Sequence, residues 1–249
     1  MTSTLTTDRK QLWRLIVVGG HTRTIGKTQL VCDIISAFPE AHWIAGKITQ
    51  YGHGVCAQNG NDCDCAPYEH VCAISWERDA NTGTDSSRFL AAGARRSFWL
   101  RTKQGFLAEG MPLLRHALDE IAHLRQSEAR GDVTAAAAPI NVILESNTLL
   151  QFLKPELFVM VLHPGKTDFK DSAQLQLDRA SAFVLREPLP SCSGAKVNGA
   201  ATSWGKISLQ LLDGKPQFLQ RDKERVPPSL VELLRNLVCT PAKVPSINP

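Results

Sequence analysis

The stretch GGHTRTIGKTQL, residues 19–30, decides how this chain folds. It follows the apolar run LIVV at residues 15–18, and it opens a segment whose apolar residues recur at helical spacing from Leu30 until Pro39. A short β-branched run that ends in glycines is typical of a buried strand entering a tight turn. Strand, glycine-containing loop and helix in this order form a phosphate-binding unit, because the N–H groups at a helix N-terminus point towards the anion. The stretch therefore predicts a phosphate-binding loop.

One position of this loop departs from the Walker A motif, which reads Gly-x-x-x-x-Gly-Lys-Ser/Thr. The Gly-Lys-Thr of residues 26–28 matches the motif, whereas His21 stands where the first glycine is expected. We expect Gly19 and Gly20 to allow the turn instead, by adopting backbone dihedrals that residues with a side chain avoid.

The chemistry of such a loop assigns roles to its residues. Backbone N–H groups cradle the phosphates, Lys27 neutralises the β- and γ-phosphate oxygens, and the Thr28 hydroxyl holds Mg²⁺. Arg23 either adds charge towards the phosphates, reaches a partner subunit or faces solvent. The candidate nucleotide-binding residues of this stretch are Gly20, His21, Thr22, Arg23, Gly26, Lys27, Thr28 and Gln29.

A P-loop enzyme also needs a carboxylate at the end of a neighbouring buried strand, to hold the Mg²⁺ shell or to polarise water. The run VILESN places Glu145 directly after three apolar positions, residues 142–144. Glu145 is therefore the first candidate for this role, and a helix cap or an ordinary strand-end carboxylate is the alternative. Asp79 and Asp85 are further candidates for the shell of water around the metal.

The rest of the chain alternates apolar strands with helical patterns. Strands are predicted at residues 13–20, 42–50, 70–78, 96–102, 140–146, 156–163 and 181–187, and helices at 27–38, 86–94, 112–124 and 228–238. This alternation predicts an α/β fold, in which a mostly parallel β-sheet is flanked by helices on both faces. We expect a P-loop NTPase fold of three α/β/α layers, one domain over residues 1–249, with a Cys/His-rich insert at 51–72.

Composition bounds the class of protein. The 249 residues are 43% hydrophobic, which is enough for the core of one α/β domain. The formal net charge is only +4 and the basic residues are scattered, which argues against a nucleic-acid-binding protein. No apolar run approaches the roughly 18 residues that span a bilayer, and no leader pattern stands at the start. We expect a cytoplasmic protein without a membrane partner.

The insert carries a second kind of site. Cys56, Cys63, Cys65 and Cys72 spell C-x6-C-x-C-x6-C. Four thiolates hold either a tetrahedral Zn²⁺ or an iron–sulfur cluster. If Cys72 is instead a buried residue of the third strand, His53 or His70 is the alternate ligand. A bound metal would either staple an insert with few apolar residues or serve a function near the nucleotide.

Three separated segments resemble one family. They are the loop HTRTIGKT, Lys47 within KITQYGHG, and GTDSSRFLAAGA at residues 83–94. Together they resemble the molybdopterin-guanine dinucleotide biosynthesis protein B (MobB-like) family of P-loop NTPases. The resemblance covers roughly residues 13–165, and VILESN stands where the family has an apolar strand that ends in Glu-Gly.

The resemblance implies a nucleotide-binding protein that supports assembly of a molybdenum cofactor, as a homodimer and beside a partner enzyme. It implies that Asp85 and Arg88 line the nucleotide site and that Glu145 serves the metal or the water. GTP is the nucleotide of the family. After the strand at 181–187, however, the chain reads Arg-Glu-Pro and lacks the Asn-Lys-x-Asp stretch that selects guanine. GTP and ATP therefore both remain candidates.

The function predicted from these observations is an Mg²⁺-dependent purine-nucleotide P-loop NTPase with slow intrinsic turnover, in which Lys27, Glu145 and Asp85 are the catalytic candidates. One alternative is a small-molecule kinase on the same fold. Another is an adaptor that carries a metal and uses nucleotide as a conformational switch. A second Gly-Lys-Thr, at residues 165–167, lacks an upstream glycine and a helical continuation, so we do not expect a second phosphate-binding loop. This segment indicates a solvated strand-end loop, and contact of Asp168 and Lys170 with a substrate is the alternative.

Overall fold

The computed structural model describes residues 12–51, 71–128, 138–163, 166, 168–186, 203–204 and 207–238. The strands are β1 (Trp13–Gly20), β2 (Ile44–Tyr51), β3 (Cys72–Trp76), β4 (Arg96–Lys103), β5 (Ile140–Glu145), β6 (Leu157–Leu162), β7 (Ala182–Arg186), β8 (Ser203–Trp204), β9 (Ile207–Ser208) and β10 (Gln217–Gln220). The helices are α1 (Lys27–Ala37), α2 (Asp85–Ala91), α3 (Leu107–Glu128), α4 (Asp171–Gln174) and α5 (Pro228–Val238). Short 3-10 turns lie at Pro39–Ala41, Leu149–Gln151 and Leu209–Leu212.

Eight of these strands form one sheet, in the order β10-β7-β6-β1-β5-β2-β4-β3. All neighbouring pairs in it are parallel except β3 with β4. Strands β8 and β9 pair antiparallel with each other, apart from this sheet. The predicted mostly parallel α/β fold is therefore confirmed. The edge strand β10 was not predicted, because four residues with one buried aromatic give too short a pattern.

Helices cover both faces of the sheet. Alternate residues of β1 point to opposite faces, and all four residues from Leu15 to Val18 are fully buried. Leu15 and Val17 belong to the core that includes α3, whereas Ile16 and Val18 belong to the core that includes α1, α2 and α5. The result is a three-layer α/β/α arrangement.

The central strand β1 has neighbours that the chain reaches in opposite directions. After α1 the chain goes to β2, on the β5 side of β1, whereas β6 and β7 lie on the other side. In an open α/β sheet, such a change of direction leaves a crevice at the carboxyl ends of the strands, where ligands bind. The loop at residues 21–26 opens into this crevice.

Helix α3 corrects one sequence prediction. We expected a helix that begins at Pro112, but α3 begins at Leu107 and contains Pro112. A proline inside a helix removes one backbone hydrogen bond. The buried face of α3 offsets this loss, since Leu107, Met111, Leu114 and further apolar residues of this helix pack on the sheet.

Candidate functional site

The loop between β1 and α1 turns at positions other than those we predicted. Gly19 and Gly20 lie inside β1, and neither has a positive φ. Thr24, with φ 53°, and Gly26, with φ 90°, adopt the left-handed conformation instead. Gly26 is the residue before α1, so the turn into the helix is made at the second glycine of the motif. The expectation that Gly19 and Gly20 supply the turn was wrong.

Gly19 and Gly20 are required for space. A Cβ on Gly19 would lie 2.6 Å from the Oδ1 of Asn147, and a Cβ on Gly20 would lie 2.6 Å from the Cδ1 of Ile25. Asn147 follows β5, and its amide both accepts from the Gly20 N–H at 2.8 Å and donates to the Gly20 carbonyl at 2.9 Å. Because these two glycines have no side chain, Asn147 at the end of β5 can approach the start of the loop closely enough to form these hydrogen bonds.

His21 directly follows β1, and its side chain points towards the segment after β6 and not into the crevice. Its backbone N–H donates to the Val161 carbonyl at 3.3 Å, and its carbonyl accepts from the Lys170 N–H at 2.9 Å. The imidazole is fully buried, with its ring centre 5.1 Å from that of Phe169. Burial lowers the pKa of His21, which keeps the ring neutral. A side chain at this position is accommodated because it faces the segment after β6.

Lys27 begins α1 and lines the crevice. Its ammonium donates to the Thr22 carbonyl at 2.6 Å, across the top of the loop. Burial lowers the pKa of Lys27 to about 8, although the nearby Glu145 carboxylate opposes this shift. A half-buried ammonium at a helix N-terminus attracts an anion strongly, since both the charge and the helix dipole favour it.

Thr28 and Glu145 are brought together from separate elements. The Thr28 hydroxyl, in the first turn of α1, donates to the Glu145 Oε2 at 2.7 Å. Glu145 is the last residue of β5, and its register partner on β2 is Lys47. The Lys47 Nζ lies 3.6 Å from the Glu145 Oε1. A hydroxyl and a carboxylate in contact are hard oxygen donors, so these side chains suit a Mg²⁺ ion.

The GTDSSR segment forms the opposite wall of this site. Thr84 caps α2, since its hydroxyl accepts from the Ser87 N–H at 3.0 Å. The cap sets Asp85 at the start of α2, where its carboxylate pairs with the Lys47 ammonium. Arg88, one turn later, lies 3.6 Å from Asp85 and donates to the Gln29 side chain of α1 at 2.8 Å. These contacts join α2 to α1 and β2 around the crevice.

A pocket of about 740 Å³ occupies the crevice. Eight sequence candidates line it: Arg23, Gly26, Lys27, Thr28, Gln29, Asp85, Arg88 and Glu145. Gly20, His21 and Thr22 do not line it. Asp79 is also outside it, where its carboxylate accepts from the Asn81 backbone at 2.8 Å.

The sequence led us to prefer a solvated loop for the residues after β6, and contacts of these residues with the phosphate-binding loop were not predicted. The described residues of the segment at 163–170 contact the P-loop. The Thr22 hydroxyl donates to the Asp168 carboxylate, and the Lys166 ammonium donates to the Thr24 hydroxyl at 3.1 Å. Lys170 lines the pocket. The polar run directly after a buried strand was the available signal, because the carboxyl ends of parallel strands share one edge of the sheet.

The predicted metal site of the insert lies mostly outside the described residues. This holds for Cys56, Cys63 and Cys65, and for His53 and His70. Cys72 is the first residue of β3, where burial raises the pKa of its thiol and the Sγ lies 3.8 Å from the Glu109 carbonyl. Within the described ranges, no group of three or more His, Cys, Asp and Glu side chains is arranged to hold a metal ion. The zinc or iron–sulfur site stays a prediction.

In the described part of the chain, no helix has the length and apolarity needed to cross a bilayer.

Comparison with known proteins gives two distant structural likenesses. No protein-family model matches the chain, and no curated protein matches its sequence. The structure of HypB from Helicobacter pylori in complex with nickel is similar, with a TM-score of 0.46 and 14% identity, covering 92% of this chain and 86% of that chain. LpxK from Aquifex aeolicus in complex with ATP has a TM-score of 0.38 and 15% identity, covering 88% of this chain and 60% of that chain. At this distance neither likeness assigns a ligand or a family, and the MobB-like resemblance stays a prediction.

Proposed function

We propose that this chain is an Mg²⁺-dependent P-loop protein that binds and slowly hydrolyses a purine nucleoside triphosphate. The observation that carries the proposal is the 2.7 Å contact between the Thr28 hydroxyl and Glu145, directly beside Lys27. The contact joins a hydroxyl for the metal to a carboxylate on the neighbouring strand, and Lys27, the residue before Thr28, supplies the phosphate-binding ammonium. Phosphoryl transfer requires these three groups.

The charges around the pocket favour a polyanionic ligand. Among the described residues that line it, five are cationic, namely Arg23, Lys27, Lys47, Arg88 and Lys170, and two are acidic, namely Asp85 and Glu145. A ligand with several negative charges balances this excess, as a triphosphate does. The pocket volume of about 740 Å³ also lies in the range of small-molecule and cofactor sites.

Each residue of the site has its own role in the proposed hydrolysis. The loop amides and the Lys27 ammonium bind and orient the phosphates, and Thr28 and Glu145 would hold Mg²⁺. When bound, the ion neutralises charge that develops on the phosphate oxygens. Glu145, fixed by Thr28 and Lys47, orders the attacking water. Asp85 and Arg88 close the side of the site that α2 forms.

A wider role in metallocofactor assembly rests on the resemblance of GTDSSR and the loop to the MobB-like family. On that basis we propose GTP or ATP as the nucleotide, a homodimer as the working form and a cofactor-assembly enzyme as the partner. Contacts of the GTDSSR segment support its assignment to the nucleotide site. Thr84 caps α2, Asp85 pairs with Lys47, and Arg88 donates to Gln29 of α1.

Calorimetric titration with non-hydrolysable GTP and ATP analogues plus Mg²⁺ tests the nucleotide. We expect Lys27→Ala to weaken binding at least about a hundredfold, because it removes a charge-assisted contact to the phosphates. Lys166→Ala is the matched control, since Lys166 also stands in a Gly-Lys-Thr but contacts Thr24 and does not line the pocket. Equal effects of the two variants, or no binding by the wild type, would reject the proposal.

Phosphoryl transfer to a small molecule is the second candidate, and the far wall of the pocket favours it. Beyond Lys47 and Glu145, this wall carries several neutral hydrogen-bonding side chains, namely Thr49, Gln50, Gln104 and Thr148. Gln50 donates to Thr148 at 3.2 Å and accepts from the Gly105 N–H at 3.3 Å, so the wall is ordered by its own contacts. Such a surface suits a hydroxylated acceptor.

Product stoichiometry separates the two candidates. Hydrolysis releases one inorganic phosphate for each nucleoside diphosphate. Transfer gives less phosphate than diphosphate when a mixture of hydroxylated metabolites is added. Equal amounts of phosphate and diphosphate under all conditions would reject transfer and support hydrolysis.

A further inference from the structure

Lys47 occupies a position between two carboxylates of different elements. Its ammonium pairs with Asp85 of α2 and lies 3.6 Å from the Oε1 of Glu145 on β5. The side chains of Lys47, Asp85 and Glu145 are 23%, 31% and 7% exposed. Screening by water is therefore weak at Glu145 and partial at the other two.

One of these carboxylates, Glu145, is an oxygen donor of the proposed metal site, and Asp85 is a candidate for the water shell of that metal. Glu145 contacts the Thr28 hydroxyl through Oε2 and faces Lys47 through Oε1. A divalent cation beside Thr28 and Glu145 would lie close to the Lys47 ammonium, and like charges at such a distance repel strongly in a half-buried site. The metal and the Lys47 ammonium therefore compete for the Glu145 carboxylate.

We propose that Lys47 is a resident counter-ion of Asp85 and Glu145, which prevents a divalent cation from binding alone and admits it only together with nucleotide phosphates. The phosphates offer the Lys47 ammonium another anionic partner, which replaces Glu145 when the metal takes that carboxylate. This inference rests on the proposed Mg²⁺ site at Thr28 and Glu145. Its consequence is obligatory coupling between metal and nucleotide binding.

Binding of Mn²⁺ in the absence of nucleotide tests the coupling. Free Mn²⁺ is measured by electron paramagnetic resonance during titration of the full chain, after removal of other metals. We expect no measurable binding near Thr28 in the wild type. We expect Lys47→Met, which keeps the length of the side chain and removes its charge, to bind Mn²⁺ at least about tenfold more tightly.

Three controls identify the cause of a gain. Lys47→Arg keeps the positive charge and should behave as the wild type. Lys170→Met removes a different positive charge from the same pocket, on the segment after β6, and should gain little. Adding Glu145→Gln to Lys47→Met should abolish the gained binding, because it removes the carboxylate that faces Lys47.

The outcomes separate this inference from the proposed function. A folded Lys47→Met variant that binds Mn²⁺ no better than the wild type overturns the inference, as does a wild type that binds Mn²⁺ alone with the affinity of the variant. Neither result bears on the Lys27-dependent binding of nucleotide, which is measured separately. Should Lys47→Met not fold by circular dichroism, Lys47→Gln replaces it, since its amide still donates to the carboxylates.

Discussion

The two sides of the P-loop are built from different chemistry. On the β5 side lies a chain of charges, in which Glu145, Lys47, Asp85 and Arg88 alternate in sign across β5, β2 and α2. On the β6 side, the contacts go to the loop itself, through the Thr22–Asp168 and Lys166–Thr24 hydrogen bonds and the buried ring of His21.

We infer from this difference that the β5 side takes part in the reaction and that the β6 side supports the shape of the loop. Charges that balance one another on the β5 side can be redistributed when a polyanion and a cation arrive. Hydrogen bonds and ring packing on the β6 side contact the loop directly, and we expect them to change little when a ligand binds. Substitutions on the β5 side should therefore affect turnover and metal binding, and those on the β6 side should affect stability and affinity.

The largest effect is expected from Glu145→Gln. The amide keeps the shape of the side chain and can still accept from Thr28, but it no longer polarises water, so hydrolysis should fall at least about a hundredfold. Turnover is measured by phosphate release at saturating nucleotide. Asp168→Asn makes the same chemical change on the β6 side and should alter turnover by less than about fivefold. Similar losses in both variants would erase the distinction between the sides.

Restoring the motif glycine should harm the protein. His21→Gly removes a fully buried ring that packs on Phe169, and such a cavity lowers the free energy of unfolding by about 2–4 kcal/mol. Chemical denaturation measures the loss. The Walker A pattern alone predicts the opposite for His21→Gly, namely unchanged stability and tighter binding of nucleotide. That result would show that the His21 side chain faces the bound phosphates.

Affinity for nucleotide should depend on pH through Lys27. Burial lowers the pKa of Lys27 to about 8 in the free protein, and bound phosphates should raise it again. Below pH 8 the ammonium is already protonated and the affinity is constant. Above pH 8 binding must take up a proton, so the dissociation constant should rise about tenfold per pH unit.

Titration between pH 7 and 9.5 with a non-hydrolysable analogue shows whether this rise occurs. Lys27→Arg should remove the dependence, because a guanidinium stays charged throughout this range. A flat profile for the wild type would mean that Lys27 remains protonated without a ligand.

The smallest effect is expected from Thr22→Val. Valine keeps the shape of the buried side chain but loses the hydrogen bond to Asp168, which lies on the surface. Loss of one hydrogen bond that orders the loop should weaken nucleotide binding about fivefold, with the maximal rate unchanged. Calorimetry and saturation kinetics measure the two quantities. A lowered maximal rate at full saturation would place Thr22 in the chemical step.

The sequence predicted those parts of the candidate site that depend on the pattern of apolar and polar residues within a few positions. The Gly-Lys-Thr of α1 and the carboxylate at the end of β5 were found because each stands at the boundary of a strongly apolar element. The fold class followed from the alternation of strands and helices. The helix boundary near Pro112 was wrong, since packing of α3 on the sheet outweighs the local preference of proline.

The contacts that join distant segments were beyond the sequence. Nothing in the letters around Asp168 shows that this residue accepts from Thr22, 146 positions earlier, because the pairing depends on β6 lying beside β1. Asn147, directly after the predicted Glu145-Ser146, escaped notice for the same reason. Its partner is the backbone of Gly20.

The sequence by itself determined the buried strand, the glycine before the helix and the lysine at its start, since these features depend on periodicity and on backbone freedom within a few residues. Only the tertiary structure decided which side of the loop each charge faces. The order of strands β6-β1-β5-β2 sets Lys47 and Glu145 side by side and turns His21 away from the crevice. Strand order arises from packing over the whole sheet, and for that reason no short stretch of the chain encodes it.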